Sequence, residues 1–282
     1  MTDSADIDAY CARIGYSGAR EPCLAVLQAL VAAHTVAIPF ENLDVLLKRP
    51  IRLDRPSLYR KLVRERRGGY CFEHNLLLLD VLTRFGFRAV GLAARVQWGR
   101  APGAVGPRTH MLLRVDLPDS LYLADVGFGG LTPTAPLALA PGPEQATPHE
   151  TFRLVAAEGE FDLEARLGGA WASLYRFSLQ PQFPVDYEVA NWFTSTHPAS
   201  LFVNHLIASR ATAGRRHALF NNRYTVRGRD GGIERKVLPD AAALHSILDR
   251  EFGIAMPEPD IAAIAALAEA NAAQPSPFDG GQ

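Results

Sequence analysis

The sequence is poor in cysteine, and its three cysteines form no C-x-x-C pair. The wide spacing of Cys11, Cys23 and Cys71 fits a reducing compartment and argues against the paired thiols of disulfide exchange. The eight histidines include no H-E-x-x-H pair and show no spacing typical of a metal centre. We therefore predict that the protein uses no metal.

Long apolar runs and an excess of charge of one sign are also missing. The formal net charge is −1, which argues against nucleic acid or an anionic membrane as a partner. No apolar run approaches the ~20 residues of a membrane-spanning helix, and the first six residues, MTDSAD, are unlike a signal peptide. We expect a cytoplasmic protein whose partners are small molecules.

Three common catalytic motifs are absent from the sequence. Without a G-x-S-x-G motif, a serine hydrolase is not expected. The glycines of residues 127–130, GFGG, resemble a phosphate loop, but no lysine follows in Walker order and no G-x-G-x-x-G opens a helix. Binding of a nucleoside triphosphate or NAD is therefore poorly supported, and we interpret these glycines as a flexible wall of a cleft.

The order of the local patterns predicts an α+β fold with three domains. Residues 1–86 show apolar side chains at helical spacing, which predicts a helical domain. Residues 87–190 change to short β-prone runs, which predict a small antiparallel sheet or barrel. Residues 191–282 mix both patterns and are predicted to form an α/β lid domain.

Two local predictions concern segments near the domain edges. Residues 38–43 contain a proline and are too short to form an element of their own. Residues 218–226 are predicted to form one strand of a hairpin with residues 233–237, across the glycine-rich segment 228–232.

Residues 67–75, RGGYCFEHN, are the stretch around which the chain is organised. Gly68 and Gly69 are predicted to take positive φ, which ends one helix and turns the backbone into the next. Cys71 then lies in the first turn of the new helix, where free N–H groups and the helix dipole favour a thiolate. The alternative is that Cys71 is a small core residue. The glycine pair and the flanking charges favour a reactive cysteine.

A nucleophilic cysteine needs a base, and the base needs a group that orients it. Residues 110–116 and 120–126 are predicted to form a hairpin in which His110 and Asp125 are cross-strand neighbours. His74, three residues after Cys71, is the other candidate base, although the leucines that follow it are typical of a packed histidine. Sequence reasoning does not by itself bring Cys71 to His110.

Five motifs, in the same order, resemble those of the arylamine N-acetyltransferases. The resemblance spans residues 39–202 and implies a helical bundle, a β-barrel and an α/β lid. By matching positions it also implies that Cys71 accepts the acyl group, that His110 is its base and that Asp125 orients the base. The motifs are PFENL at 39–43, RGGYCFEHN at 67–75, THM at 109–111, DVGFGG at 125–130 and NWFTSTHP at 191–198.

The resemblance also implies a reaction, which belongs to xenobiotic metabolism. Acetyl-CoA acetylates the cysteine, and an arylamine, arylhydroxylamine or hydrazine then takes the acetyl group in a ping-pong mechanism. A backbone N–H of Tyr70 or Phe72 is a candidate donor to the oxyanion. The residues that the resemblance implies in contact with the substrate or CoA are Phe40, Val96, Thr109, Gly129, Gly130 and Phe202.

Three alternatives stay open on the sequence alone. A thiol hydrolase of the protease or transglutaminase type uses the same three residue types, with water resolving the acyl-enzyme. An amide synthase that closes a macrolactam in ansamycin biosynthesis shares the family and the cleft. In a binding module without activity, Cys71 reacts with iodoacetamide no faster than Cys11 or Cys23. The sequence predicts neither the natural acceptor nor the oligomeric state.

Overall fold

A computed structural model describes residues 3–101 and 103–274, which combine helices with two antiparallel sheets. The helices are α1 (Asp3–Ile14), α2 (Leu24–Ala37), α3 (Leu43–Leu46), α4 (Arg55–Leu58), α5 (Cys71–Arg84), α6 (Pro184–Thr196), α7 (Leu201–Asn204), α8 (Ala241–Ile247) and α9 (Glu258–Ala270). The strands are β1 (Phe40–Glu41), β2 (Arg88–Val96), β3 (Arg108–Leu117), β4 (Ser120–Ala124), β5 (Leu137–Ala138), β6 (Gln145–Ala146), β7 (Thr151–Ala157), β8 (Glu160–Leu167), β9 (Ala170–Phe177), β10 (Ile207–Thr212), β11 (Arg215–Phe220), β12 (Arg223–Gly228) and β13 (Ile233–Val237).

The N-terminal helices surround α5, which is buried along most of its length. Leu77, Leu78 and Val81 of α5 are fully buried in the core that α1 and α2 share with it. Asp54 caps α4 by accepting a hydrogen bond from Ser57 N at 3.0 Å. The π-helical turns of residues 59–64 continue α4 and end ahead of the glycine pair.

The first sheet has eight strands in the order β5-β4-β3-β2-β9-β8-β7-β6. The side chain of Gln145 on β6 joins its two edges, because it accepts from Ala138 N at 2.7 Å and donates to Ala138 O at 2.9 Å. This amide takes the place of a neighbouring strand and nearly closes the sheet into a barrel. Fully buried Leu92, Phe152 and Leu163 help to fill its interior.

The second sheet has five strands in the order β1-β10-β11-β12-β13, with its edge strand supplied by the N-terminal part of the chain. Phe40 and Glu41 form β1 and pair with Ser209 and Ala208 of β10. The prediction that residues 38–43 form no element was therefore wrong, because pairing with a distant strand stabilises an element too short to form alone. Helices α8 and α9 pack against this sheet through a second apolar core.

The C-terminal hairpin is confirmed, with one correction. β12 and β13 pair antiparallel across the glycine-rich segment, as predicted. The predicted single strand at 218–226 is instead the end of β11 and the start of β12. Asn221 separates the two strands with a φ of +52°, a left-handed conformation that asparagine adopts more readily than most residues.

The predicted α+β fold, with its barrel and its mixed C-terminal part, is confirmed. The predicted boundary between residues 190 and 191 lies inside α6, so the division at 86 and 190 stays a prediction. Within residues 3–101 and 103–274, none of the helices combines the length and apolar character of a membrane span.

Candidate active site

Cys71 is the first residue of α5 and is buried where this helix meets β3. Its thiol donates to the carbonyl oxygen of Thr109 at 3.5 Å. The Glu73 carboxylate accepts a hydrogen bond from Tyr70 N at 3.1 Å, as in a capping box. The predicted place of Cys71 in the first helical turn is confirmed. Because Tyr70 N–H is already engaged, Phe72 N–H is the remaining candidate for the oxyanion donor.

The glycine pair before Cys71 provides space rather than an unusual backbone conformation. Neither glycine has positive φ, so that prediction was wrong. A Cβ on Gly68 would stand 2.0 Å from Pro39 O, and one on Gly69 would stand 2.6 Å from a carboxylate oxygen of Glu73. Glu41 N donates to Gly69 O at 2.8 Å, which draws β1 against this turn. Only residues without a side chain permit such a close approach.

His110 and Asp125 form a buried pair beside the cysteine. His110 Nε2 lies 2.7 Å from Asp125 Oδ2, so their predicted proximity is confirmed. They are not directly opposite each other, however. The pair Leu113 and Ala124 is in register, and the same register continued places Asp125 opposite Leu112. The resulting offset of two residues keeps both side chains on one face of the sheet, so they meet diagonally.

The pair favours opposite charges on its two members. Burial by itself lowers the pKa of His110, but the Asp125 charge and hydrogen bonds to Asp125 and Cys71 raise it to about 10. Burial works to raise the pKa of Asp125, yet His110 and the Gly127 N–H lower it below its usual value. Since Nε2 of His110 is hydrogen-bonded to Asp125, the hydrogen bond between His110 and the Cys71 sulfur is assigned to Nδ1. At neutral pH the sulfur thus adjoins an imidazolium ion.

Asn75 holds the carboxylate in place from the same helix as the cysteine. Its Nδ2 donates to Asp125 Oδ1 at 3.1 Å and to Met111 O at 2.8 Å, while its Oδ1 accepts from Val126 N at 3.2 Å. The amide therefore ties α5 to the ends of β3 and β4. Sequence analysis assigned no role to Asn75, although a residue four positions after Cys71 lies on the same helix face.

His74 is a packed histidine with both ring nitrogens engaged. Nδ1 lies 2.9 Å from His34 Nε2, and Nε2 lies 3.1 Å from Pro39 O. Nδ1 of His34 in turn lies 2.9 Å from the hydroxyl oxygen of Tyr10. Burial lowers the pKa of His74 to about 4 and that of His34 well below its usual value. These contacts direct His74 away from the Cys71 sulfur.

Aromatic side chains form a wall next to the glycine turn. The rings of Phe40 and Phe202 have centroids 5.9 Å apart, and Phe202 also packs edge-on against Tyr70 at 5.8 Å. Asn42 positions this wall, because its Nδ2 donates to Phe202 O and its Oδ1 accepts from Ile207 N. The PFENL motif contributes both the ring of Phe40 and the amide that fixes the facing segment.

The loop that follows Asp125 runs from the cysteine to a cavity between the two sheets. A Cβ on Gly127 would stand 2.8 Å from Cys71 Cα, so the loop starts in direct contact with α5. Phe128 packs on the His110 ring at 5.1 Å, and Gly129 has a φ of +87° that favours glycine. Gly130 lines a cavity of about 210 Å³ together with residues of β10 to β13.

The sequence-predicted contact residues fall into three groups. Thr109 touches the Cys71 sulfur through its carbonyl, as stated above. Phe40, Phe202, Gly129 and Gly130 surround the path from the cysteine to the cavity. Val96 is connected to the site through a neighbour, since it pairs across the sheet with Tyr175, whose ring is 4.8 Å from that of His110.

Within residues 3–101 and 103–274, no cluster of three or more histidine, cysteine, aspartate or glutamate side chains could hold a metal ion.

Comparison with known proteins agrees with the fold. A family model described as N-acetyltransferase matches residues 23–261. The arylamine N-acetyltransferase of Mycobacterium tuberculosis is 48% identical over 253 residues, which cover 88% of this chain and 89% of that protein. The structure of the Mycobacterium marinum arylamine N-acetyltransferase has a TM-score of 0.90 at 41% identity and covers 93% of this chain and 99% of its own.

A second Mycobacterium marinum structure, of the arylamine N-acetyltransferase in complex with CoA, has a TM-score of 0.89 at 42% identity. It also covers 93% of this chain and 99% of its own. These similarities confirm the predicted enzyme class, an acyltransferase, and do not favour a thiol hydrolase or a macrolactam-forming amide synthase. The chain belongs to the arylamine N-acetyltransferase family.

Proposed function

We propose that this chain transfers an acetyl group from acetyl-CoA to arylamines and hydrazines through an acetyl-Cys71 intermediate. Arylhydroxylamines are acetylated on oxygen by the same route. The observation that carries the proposal is the buried contact between the Cys71 sulfur and the ring of His110, which is paired with Asp125. A charged imidazole next to the sulfur favours the thiolate, which is the nucleophilic form of cysteine.

In the first half-reaction, the Cys71 thiolate, paired with the His110 imidazolium, attacks the thioester carbon of acetyl-CoA. The bond between that carbon and the CoA sulfur breaks, and the imidazolium gives the proton to the departing CoA thiolate. Asp125 stabilises the imidazolium until that proton is transferred, because its carboxylate lies 2.7 Å from Nε2. Phe72 N–H is our candidate for the donor that stabilises the oxyanion.

In the second half-reaction, the nitrogen of an aromatic amine attacks the carbonyl carbon of acetyl-Cys71. The neutral ring of His110 takes a proton from that nitrogen, and the cysteine leaves as a thiolate beside the newly formed imidazolium. The enzyme thereby returns to its starting charge state with the acetyl group on the acceptor.

The cavity between the sheets offers a place for the anionic end of the acyl donor. Arg223, Arg235 and Lys236 line one part of it, where their charges suit the phosphates of CoA. Phe128 and Ile207 line an apolar part, which suits the aliphatic arm of the donor. Gly129 and Gly130 lie between this cavity and the cysteine, and their small size leaves room for the arm to pass.

The aromatic wall offers a place for the ring of the acceptor. Phe40 is buried, whereas Phe202 is half-buried and remains accessible from the cleft. Aromatic acceptors gain from edge-to-face and offset packing on such rings. We assign Phe40 and Phe202 to acceptor binding, and Thr109 and Val96 to the wall on the barrel side. We also propose that the protein acts in the cytoplasm on small molecules, without a nucleic-acid or membrane partner.

The test is intact-mass spectrometry after brief mixing with acetyl-CoA in the absence of an amine. We expect an acetyl adduct on the wild-type protein and none on Cys71→Ser. Adding an arylamine or a hydrazine should discharge the adduct and produce the N-acetylated amine. If the wild-type protein forms no adduct, or if water discharges it as fast as the amine does, the proposed transfer reaction is wrong.

A further inference from the structure

Ser209 on β10 carries a buried hydroxyl group that the structure leaves without a partner. The residue is 4% exposed, and within residues 3–101 and 103–274 no hydrogen bond reaches its Oγ. A buried hydroxyl that loses its water without gaining a partner destabilises the fold. Such a group is therefore a candidate for binding a ligand that supplies the missing hydrogen bond.

The hydroxyl lies near the cavity between the two sheets. Ser209 lines that cavity, and the position of a Cβ on Gly129 would be 3.5 Å from its Oγ. Gly129 belongs to the loop that begins against Cys71 and passes the ring of His110. Ser209 therefore lies beside the path that joins the cysteine to the cavity.

A row of cross-strand neighbours on the second sheet extends from this path along the cavity. In the strand registers, Ser209 is opposite Phe40 on one side and Ala218 on the other, and Ala218 is followed by Thr225 and then Arg235. Residues directly opposite each other point to the same face of a sheet. The row spans four strand spacings, or about 19 Å. It leads from the aromatic wall near the cysteine to the basic side of the cavity.

We propose that the Ser209 hydroxyl hydrogen-bonds an amide of the pantetheine arm of the acyl donor. This inference rests on the proposed function, because that arm is the part of acetyl-CoA that joins the thioester to the phosphates. Amides are the polar groups of the arm nearest the thioester. Ser209 stands between the aromatic Phe40 and the small Ala218, where it is the polar side chain nearest to Gly129 along the row.

The test compares acyl donors that differ in their amides. Acetyl-CoA has two amides, the S-acetyl derivative of N-acetylcysteamine has one, and p-nitrophenyl acetate has none. The acetylation of Cys71 by each donor is followed by intact mass or by release of the leaving group. For Ser209→Ala we expect kcat/KM with acetyl-CoA to fall about 5- to 10-fold. The rate with p-nitrophenyl acetate should stay within a factor of two of the wild-type rate.

The one-amide donor locates the contact. A loss with this donor equal to that with acetyl-CoA assigns Ser209 to the amide nearest the sulfur. No loss with this donor, combined with a loss with acetyl-CoA, assigns it to the amide farther along the arm. Ser173→Ala on β9 is the matched control, since it removes a serine hydroxyl from a strand outside the cavity, and it should leave all three rates unchanged.

Three results would overturn the assignment. An equal loss with p-nitrophenyl acetate would mean that the substitution disturbs the cysteine itself. An unchanged rate with all donors would mean that the hydroxyl has no role in donor binding. A rise in the KM of the arylamine alone would place Ser209 in the acceptor site. Failure of the wild-type protein to become acetylated by acetyl-CoA would instead refute the proposed function, so the two failures are distinguishable.

The thermal stability of Ser209→Ala gives an independent readout. Removing a hydroxyl without a partner should leave the melting temperature unchanged or raise it slightly. If the role of Ser209 were purely structural, Ser209→Ala would lower both the melting temperature and every acetylation rate.

Discussion

His110 and Asp125 meet diagonally across the β3–β4 pair, with Nε2 of the ring 2.7 Å from Oδ2 of the carboxylate. The substitution Asp125→Asn tests what this contact does. The new amide can still accept from Gly127 N–H through its oxygen, so the fold should persist. Its NH₂ group, however, donates to Nε2 and moves the ring proton to Nδ1, which can then no longer accept the proton of Cys71.

We therefore expect Asp125→Asn to slow the acetylation of Cys71 by roughly 10²- to 10⁴-fold. The rate is measured by intact mass after rapid mixing with acetyl-CoA. Asp116→Asn is the control, because Asp116 forms a partly exposed pair with Arg114. An acetylation rate of Asp125→Asn close to that of the wild type would remove Asp125 from the proposed mechanism.

The same pair makes stability depend on pH. The pKa of His110 is raised to about 10 from ~6.5 in an unfolded chain, so its contribution is complete below pH ~6.5 and is lost as the pH rises towards 10. The pKa of Asp125 is lowered, so its contribution is present above pH ~3.9 and is lost as the pH falls through the folded value.

The wild type should therefore have a higher free energy of unfolding than Asp125→Asn, and this difference should be largest between about pH 4 and 6.5. The excess should shrink between pH 6.5 and 10. Urea unfolding of both proteins at pH 6, 8 and 9.5 measures it. A difference that does not change over this range would show that the ion pair is not the source of the stability.

The choice of base is tested by the alkylation of Cys71. His110→Ala removes the imidazole that contacts the sulfur, and we expect it to slow the reaction of Cys71 with iodoacetamide at pH 7 by about 10-fold or more. His74→Gln is the comparison, since glutamine retains a donor and an acceptor and the ring of His74 is engaged elsewhere. Cys71 in His74→Gln should be alkylated at close to the wild-type rate. Fast alkylation in His110→Ala and slow alkylation in His74→Gln would reverse the assignment.

Gly68 is expected to tolerate no side chain. A Cβ at this position would lie only 2.0 Å from Pro39 O. Pro39 O is a backbone atom and a Cβ is bonded directly to the backbone, so neither can move aside by a side-chain rotation. We expect Gly68→Ala to lower the free energy of unfolding by about 2–3 kcal/mol. Gly130→Ala is the control for stability, because a Cβ there meets no atom within 4 Å. Equal stabilities of the two variants would contradict the close-packing argument.

The buried chain of Tyr10, His34 and His74 makes a further prediction. Tyr10→Phe keeps the ring but removes the hydroxyl that lies 2.9 Å from His34 Nδ1. A buried acceptor then lacks its donor, which should cost about 1–3 kcal/mol of stability. Urea unfolding measures the loss. Tyr16→Phe, whose hydroxyl donates to the exposed carbonyl of Ala19, should cost less. An unchanged stability of Tyr10→Phe would show that the chain is not coupled to the fold.

Much of the fold is readable from local sequence, because local interactions decide it. The cap at Asp54, the turn between β3 and β4 and the start of α5 at Cys71 depend on residues within a few positions of one another. The β1 strand does not, since Phe40 and Glu41 acquire strand structure only by pairing with residues of β10 far along the chain. Sequence reasoning therefore missed this strand.

The chemistry of the candidate site could be predicted in part for the same reason. A cysteine after two glycines and a histidine near an aspartate on one hairpin are local patterns. No such local pattern marks the amides of Asn42 and Asn75 or the hydroxyl of Ser209. Their roles depend on contacts with residues that are distant in the sequence. Only packing shows that one amide holds Asp125 and that the hydroxyl has no partner among the residues that the structure describes.

The sequence by itself determined the residue types of the site, the helix that begins at Cys71 and the hairpin that carries His110 towards Asp125. The tertiary structure alone decided that α5 packs on β3, which brings the sulfur to the imidazole. It also decided that Gly68 and Gly69 are needed for the close approach of β1 rather than for positive φ. The physical reason is that contacts between distant segments follow from how whole elements bury their apolar faces, which no short stretch of sequence specifies.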